Sequence, residues 1–227
     1  MVFAIILAGG NGSRMNSSMT KQRMTICGHS VIWHTVRAFE KCEDVDKIIV
    51  VARADELGFM KSELLEFNKI YDIVIGGKTR AESSYRGLLA IPAACTMVAI
   101  HDAARCLITP EGISTVLEKA RLCGAATAAV RVTDTVKRVD DLGNILNTVN
   151  RNELCLVQTP QVFDYRGIMD AFASADLINK DYTDDNMLYE NAGGRICTVD
   201  IGRDNIKITE SRDILLAELI LKERGNV

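Results

Sequence analysis

Phe3-Ala4-Ile5-Ile6-Leu7-Ala8-Gly9-Gly10-Asn11-Gly12-Ser13-Arg14-Met15, followed by Lys21-Gln22, opens the chain. An apolar run of the kind that fills a buried strand ends in Gly9, Gly10 and Gly12. Glycines let a backbone come close to a ligand and aim its N–H groups at it. Arg14 and Lys21 then stand where they can neutralise a polyphosphate such as that of a nucleoside triphosphate. The competing reading is an ordinary tight turn between strand and helix. The two commoner glycine motifs both fail. Counting G-x-G-x-x-G from Gly10 puts Met15 at the last glycine, and the Walker pattern ending at Gly77-Lys78-Thr79 puts Asp72 at the first.

Outward from this stretch, β-rich runs recur at Phe3–Leu7, Lys47–Val51, Ile70–Ile75, Met97–Ile100, Ala125–Val132 and Ile196–Asp200. Segments with helical periodicity separate them, at about 30–40, 55–67, 80–90, 110–122, 164–178 and 210–223. Strands alternating with helices imply an α/β fold: a mostly parallel, twisted sheet with helices on both faces. In such sheets ligands sit outside the carboxyl ends of the strands. The polar clusters fall there. Ile75 runs into Gly76-Gly77-Lys78-Thr79-Arg80 and Ser83, Ile100 into His101-Asp102-Ala103-Ala104-Arg105, and Val132 into Thr133-Asp134-Thr135. Repeated strand ends carrying glycines, carboxylates and guanidinium groups suggest one anionic site at one edge of the sheet.

One segment breaks the rhythm. Val136–Val139 and Ile145–Val149 flank Asp140-Asp141-Leu142-Gly143-Asn144, which reads as a β-hairpin with a longer turn. A hairpin that projects needs cover for its apolar side, and a second subunit is the expected cover. The expected organisation is one domain, residues 1–227, with 136–150 as a dimerisation arm.

Composition narrows the function classes. The 227 residues carry a formal net charge of -3, which argues against a general nucleic-acid binder. No segment is long and apolar enough to span a membrane. The cysteines, at 27, 42, 95, 106, 123, 155 and 197, form no C-x-x-C, and an odd, scattered set points to reduced thiols in a cytoplasmic protein.

Asp102 directly follows a strand and has no carboxylate beside it in the sequence. A lone carboxylate working with triphosphate oxygens suits magnesium; the alternatives are a helix N-cap or an ion pair with Arg105. No serine or cysteine sits near His101 in a nucleophile pattern, so His101 reads as structural. Lys207 alternates with Ile206 and Ile208, as on a strand with one buried face. Thr183-Asp184-Asp185 reads as a helix cap.

Taken in order, these motifs resemble the 2-C-methyl-D-erythritol 4-phosphate cytidylyltransferases. They comprise Leu7–Met15 with Lys21-Gln22, Gly76-Gly77 with Arg80 and Ser83, and His101–Arg105. Further along come Asp134-Thr135, Arg151, Gln158–Phe163, Thr183–Asp185 with Glu190, and Asn205–Thr209. The resemblance implies a Rossmann-like nucleotidyltransferase fold and a homodimer. It also implies a transfer from CTP to 2-C-methyl-D-erythritol 4-phosphate in non-mevalonate isoprenoid synthesis. By it, Ala8, Gly9, Gly10, Gly77 and Ser83 would hold the cytidine part, and Arg14, Lys21 and Lys207 would act on the reacting phosphates. Asp102 would bind magnesium. Asp102, Ala103, Arg105, Thr135, Arg151, Thr159 and Thr183 would surround the polyol phosphate, with Thr135 and Arg151 serving the neighbouring subunit. The chemistry would need no general base, because a phosphate monoester has a second pKa of about 6 and is already a nucleophile at neutral pH.

Four positions depart from the family pattern. Gly9 stands where alanine is common, Thr20 and Cys106 where proline is common, and Lys78 where an acid is common. The two lost prolines would loosen their loops. Cys106 would place an exposed thiol beside Arg105, lowering its pKa. An Ala-Gly-Gly loop also suits D-ribitol-5-phosphate cytidylyltransferases, which stay open as the alternative, as does a relative that binds nucleotide without turning it over.

Overall fold

The structure is a computed structural model that describes residues 1–9 and 20–225. Its centre is a seven-stranded sheet built from β1 (Val2–Leu7), β4 (Lys47–Ala52), β5 (Ile70–Ile75), β6 (Met97–Asp102), β7 (Ala125–Arg131), β10 (Cys155–Asp164) and β11 (Cys197–Val199). The spatial order is β11-β7-β10-β6-β1-β4-β5. All neighbours run parallel except at β10, which lies antiparallel between β6 and β7. Two small ribbons stand apart: β2 (Thr25–Ile26) with β3 (His29–Ser30), and β8 (Val136–Val139) with β9 (Ile145–Val149).

Every residue of β1 is buried, because the strand separates two apolar layers. Its even positions, Val2, Ala4 and Ile6, pack with α1 (Val31–Lys41), α2 (Leu57–Glu63) and α4 (Pro110–Cys123) through Ile32, Phe39, Met60 and Ile113. Its odd positions, Phe3, Ile5 and Leu7, pack on the other face with α3 (Arg80–Leu89), α5 (Tyr165–Ser174) and α6 (Asp185–Asn191) through Leu88, Phe172 and Leu188. This two-faced burial is what an uninterrupted apolar strand run encodes. At Gly87 the approach of α3 to β1 is so close that a Cβ would lie 2.7 Å from Ile5 Cγ2. A third cluster joins Ile26, Val31 and Leu107 to Ile208 and to α7 (Ser211–Glu223), which packs with Ala217 and Leu221.

The helices begin where their caps lie. Ser30, Thr79, Thr109 and Asp184 each accept a backbone N–H of the first turn, and Pro110 takes the first position of α4. Helix α2 is shorter than its periodicity suggested, preceded by a 3-10 turn at Ala54–Glu56. Helix α5 likewise ends at Ser174, short of the expected 178.

Three expectations are corrected. By composition Gln158-Thr159-Pro160-Gln161 points to no element, yet 155–164 is the antiparallel strand at the heart of the sheet. A register shift between Val157 and Gln161 takes up Pro160, which has no N–H to donate. Asn205–Thr209 is irregular and joins no strand, with Ile206 N–H donating to Asp204 O; Ile208 is buried and Lys207 exposed, so the alternation held without a ladder. Cys106 is buried in the third cluster rather than exposed, and burial pushes its thiol up to about 12, opposite to the activated thiol expected beside Arg105. All seven cysteines are free thiols.

Candidate active site

Strands β1, β5 and β6 end side by side or one strand removed, so Gly9, Gly77 and Asp102 arrive at one edge of the sheet. They line a cleft of about 490 Å³ together with Lys21, Ser83 and Lys207, with Arg53, Lys78 and Arg80 also on its wall. Its size suits a small ligand. The glycine loop is locked by Ser83: Gly77 N–H donates to Ser83 Oγ at 3.0 Å, and that hydroxyl donates to Thr79 O at 2.9 Å. A side chain at Gly77 would collide with Glu82, whose Cβ would lie 2.2 Å away. Lys21 Nζ reaches Thr209 O at 3.0 Å, which ties the end of the opening loop to the segment carrying Lys207.

A second recess of about 230 Å³ is lined by Arg105, Thr159, Gln161, Thr183 and Asp184. It shares Arg80, Asp102 and Lys207 with the larger cleft. These three side chains therefore stand at the boundary between two compartments.

Asp102 is the centre of that boundary. Its Oδ2 accepts from Lys207 Nζ at 2.7 Å, and its Oδ1 lies 3.4 Å from Arg80 Nε. Burial alone would raise its pKa, but Arg80 and Lys207 outweigh it and hold the carboxyl well below the usual carboxylate range. It neither caps a helix nor pairs with the Arg105 side chain; Arg105 Nη1 donates instead to Asn205 O at 2.9 Å. Arg80 is held from behind by Asp185, Nη1 to Oδ2 at 2.7 Å. Burial opposes the charge of Arg80, and Asp185 with Asp102 more than restores it.

His101 is fully buried beneath this site, with Nδ1 3.0 Å from Thr159 Oγ1 and Nε2 3.1 Å from Arg105 O. Desolvation pushes it down to about 4, so it is a neutral structural group. Thr159 Oγ1 also accepts from Asp102 N–H at 3.1 Å. Four buried polar atoms of this floor have no hydrogen-bond partner: Arg80 Nη2, Arg105 Nε, Asp185 Oδ1 and Asn205 Oδ1. Native interiors rarely leave such atoms unpaired, so the floor has bonding capacity to spare for a ligand.

Among the expected site residues, Gly9, Lys21, Gly77, Ser83, Asp102 and Lys207 meet in the larger cleft, and Arg105, Thr159 and Thr183 join them through the recess. Ala8 and Ala103 lie underneath. Ala8 N–H donates to Val51 O; Ala103 N–H donates to Leu7 O, and Ala103 O accepts from the Thr35 hydroxyl. Thr135 and Arg151 are exposed and line neither compartment; Arg151 donates to Thr133 O. Gly10 and Arg14 lie outside the described residues. Arg53 and the Arg80–Asp185 pair lacked a sequence signal of their own. Asp185 follows a residue that does cap α6, and capping accounted for the whole triplet.

Among the described residues, no three His, Cys, Asp or Glu side chains are grouped to hold a metal, and no helix is long and apolar enough to cross a membrane. The donor set available at Asp102 is one hard carboxylate, with His101 turned into the core. That suits magnesium sharing its shell with phosphate oxygens, and not a zinc site.

Residues 2–223 match the family described as 2-C-methyl-D-erythritol 4-phosphate cytidylyltransferase. A Clostridium botulinum protein of that name is 39% identical over 221 residues, covering 96% of each chain. One from Desulforamulus reducens is 39% identical over 227 residues, 99% of this chain and 97% of the relative. The crystal structure of 4-diphosphocytidyl-2C-methyl-D-erythritol synthase from Anaerococcus prevotii superimposes with a TM-score of 0.87 at 29% identity, over 97% of this chain and 98% of that one. The chain belongs to this cytidylyltransferase family, and it is a nucleotidyltransferase.

Proposed function

We propose that this family member joins CTP to 2-C-methyl-D-erythritol 4-phosphate, giving 4-diphosphocytidyl-2-C-methyl-D-erythritol and pyrophosphate in non-mevalonate isoprenoid synthesis. The observation that carries the reading is the shared wall of Arg80, Asp102 and Lys207 between two compartments. A reaction that joins two anions needs both substrates to meet across one cationic boundary. The larger cleft takes the nucleotide, with Gly9, Gly77 and Ser83 beside the cytidine, supported by Ala8 and Gly10. Lys21 and Arg14 bind the triphosphate. The recess takes the polyol phosphate against Arg105, Thr159 and Thr183. Asp102 would hold magnesium, which when bound supplies charge to the triphosphate oxygens.

The monoester oxygen attacks the α-phosphorus in line, forming the new P–O bond as the bond to pyrophosphate breaks. Lys207 sits where charge develops, and positioning with cations replaces acid–base chemistry. The neutral, buried His101 fits a site that has no use for a general base.

The chain acts as one nucleotidyltransferase domain, 1–227, in a cytoplasmic homodimer. Val139, Leu142, Ile145 and Leu146 on the arm are exposed, and Leu156 beside it is 58% exposed. A second copy covers them, and the arm carries Thr135 and Arg151 to that copy's recess. The methylerythritol name of the relatives favours this polyol over ribitol. Pyrophosphate release from CTP and magnesium, with each polyol phosphate offered separately, tests the assignment. Release with methylerythritol phosphate alone is expected; release with D-ribitol 5-phosphate alone moves the chain to that substrate, and silence with both leaves a nucleotide binder.

A further inference from the structure

We propose that Arg80, held from behind by Asp185, is a positioning residue that fixes Asp102 at the boundary between the two compartments. The inference rests on the reading of Asp102 as the carboxylate that meets the triphosphate.

The two carboxylates hold Arg80 unequally. Asp185, 1% exposed and lining neither compartment, binds Nη1 at 2.7 Å, whereas Asp102 stands 3.4 Å from Nε. The tight partner is therefore the one that no ligand touches. It restrains the guanidinium from closing on Asp102 and leaves Oδ1 loosely engaged. Lys207, the other cation on Asp102, is anchored differently: its side chain is 44% exposed, on an irregular segment outside the sheet. Lys207 can leave the carboxylate for a phosphate, and Arg80 stays.

Asp185 is itself fixed from several sides. Its N–H donates to Gln161 Oε1 at 3.0 Å, and Gln161 Nε2 donates to Asp184 Oδ2 at 2.7 Å. Asp184 caps α6. Arg80 thus links α6 and strand β10 to the end of β6, where Asp102 sits. A pair serving only the fold would have its polar atoms satisfied, yet Arg80 Nη2 and Asp185 Oδ1 are buried without a partner. Arg80 meets the two carboxylates through different nitrogens of one rigid fork, Nη1 and Nε, a geometry that the single nitrogen of an ammonium does not reproduce.

The test compares Arg80→Lys, Asp185→Asn and Asp102→Asn with the parent enzyme. Two quantities are read: kcat and KM for CTP from pyrophosphate release, and the affinity for Mn²⁺ of the CTP-bound protein, from the electron spin resonance of free Mn²⁺. Arg80→Lys and Asp185→Asn are expected to lower kcat and weaken Mn²⁺ binding, each by about tenfold or more, with KM for CTP within about twofold. A folded Arg80→Lys or Asp185→Asn enzyme whose kcat and Mn²⁺ affinity stay within about twofold of the parent overturns the proposal. Should Asp185→Asn fail to fold, Arg80→Lys decides, since it keeps the charge. Parental Mn²⁺ affinity and activity in Asp102→Asn would instead remove the underlying reading of Asp102.

Discussion

At Asp102 a carboxylate lies between Arg80 and Lys207, above a floor where His101 and Thr159 bond each other, and beside a loop that Ser83 pins at Gly77 and Thr79. Ile145, in the hairpin arm, is 63% exposed, and Leu142 in the turn is 88% exposed. The first region is assembled by the chain's own packing; the second is regular in backbone and unfinished in surface. Asp140 Oδ1 accepts the N–H groups of Leu142 and Asn144, so the turn is well made even though its apolar side chains face outward. A hairpin of two strands is marginal alone. The difference is that the cleft's charged groups find partners within the chain, while the arm's apolar side chains stay open.

The sharpest break of this contrast is Lys207→Met. If the cleft is a finished device, removing one cation from Asp102 abolishes chemistry without unfolding the protein. Pyrophosphate release should fall by about 10²–10³-fold while the thermal midpoint stays near that of the parent. A loss under tenfold would mean that the boundary is not where the bond forms.

The next effect probes the floor. His101 is held neutral with a pKa of about 4 against an ordinary value of 6.5. Its pKa is lowered in the folded protein, so the unfolded chain binds the proton first as pH falls. Stability is full above about 6.5 and is lost as pH drops toward 4, by about 2 kcal/mol between pH 7.5 and pH 5 from this group. Urea unfolding at the two pH values, repeated with His101→Gln, measures it. A variant whose pH dependence matches the parent would show that His101 is not the proton acceptor.

The smallest effect is the arm's own. Ile145 is 63% exposed, so replacing it with Asn removes little packing within the chain, and unfolding of the isolated chain should change by less than about 0.5 kcal/mol. Sedimentation should nonetheless show the dimer weakened. A large loss of subunit stability with the dimer unchanged would place Ile145 in an interior that the chain builds for itself.

Much of this was legible in the residues. The uninterrupted run Phe3–Leu7 announced a strand buried on both faces, and alternation with helices set the sheet. Glycines and charges at strand ends marked the cleft. The hairpin was visible because Gly143 and a polar turn separate two β-rich runs. What stayed hidden was hidden for physical reasons. Pro160 disguised β10, because a proline in a central strand is tolerated only where the register slips. Cys106 looked exposed from its neighbour Arg105, but the cluster that buries it is completed by α7, about a hundred residues further on. Asp185 had a sufficient local explanation as part of a cap, so its long-range partner Arg80 could not be read from spacing.

The claim that cleft and arm make one site across two subunits is tested most directly by complementation. Lys207→Met and Arg151→Ala chains, differently tagged, are co-expressed, and the mixed dimers are assayed for pyrophosphate release with methylerythritol phosphate. Each variant alone should be nearly inactive. Each mixed dimer carries one intact site of two, so its activity should return to about one half of the parent value. Mixed dimers no more active than either variant alone would contradict the account.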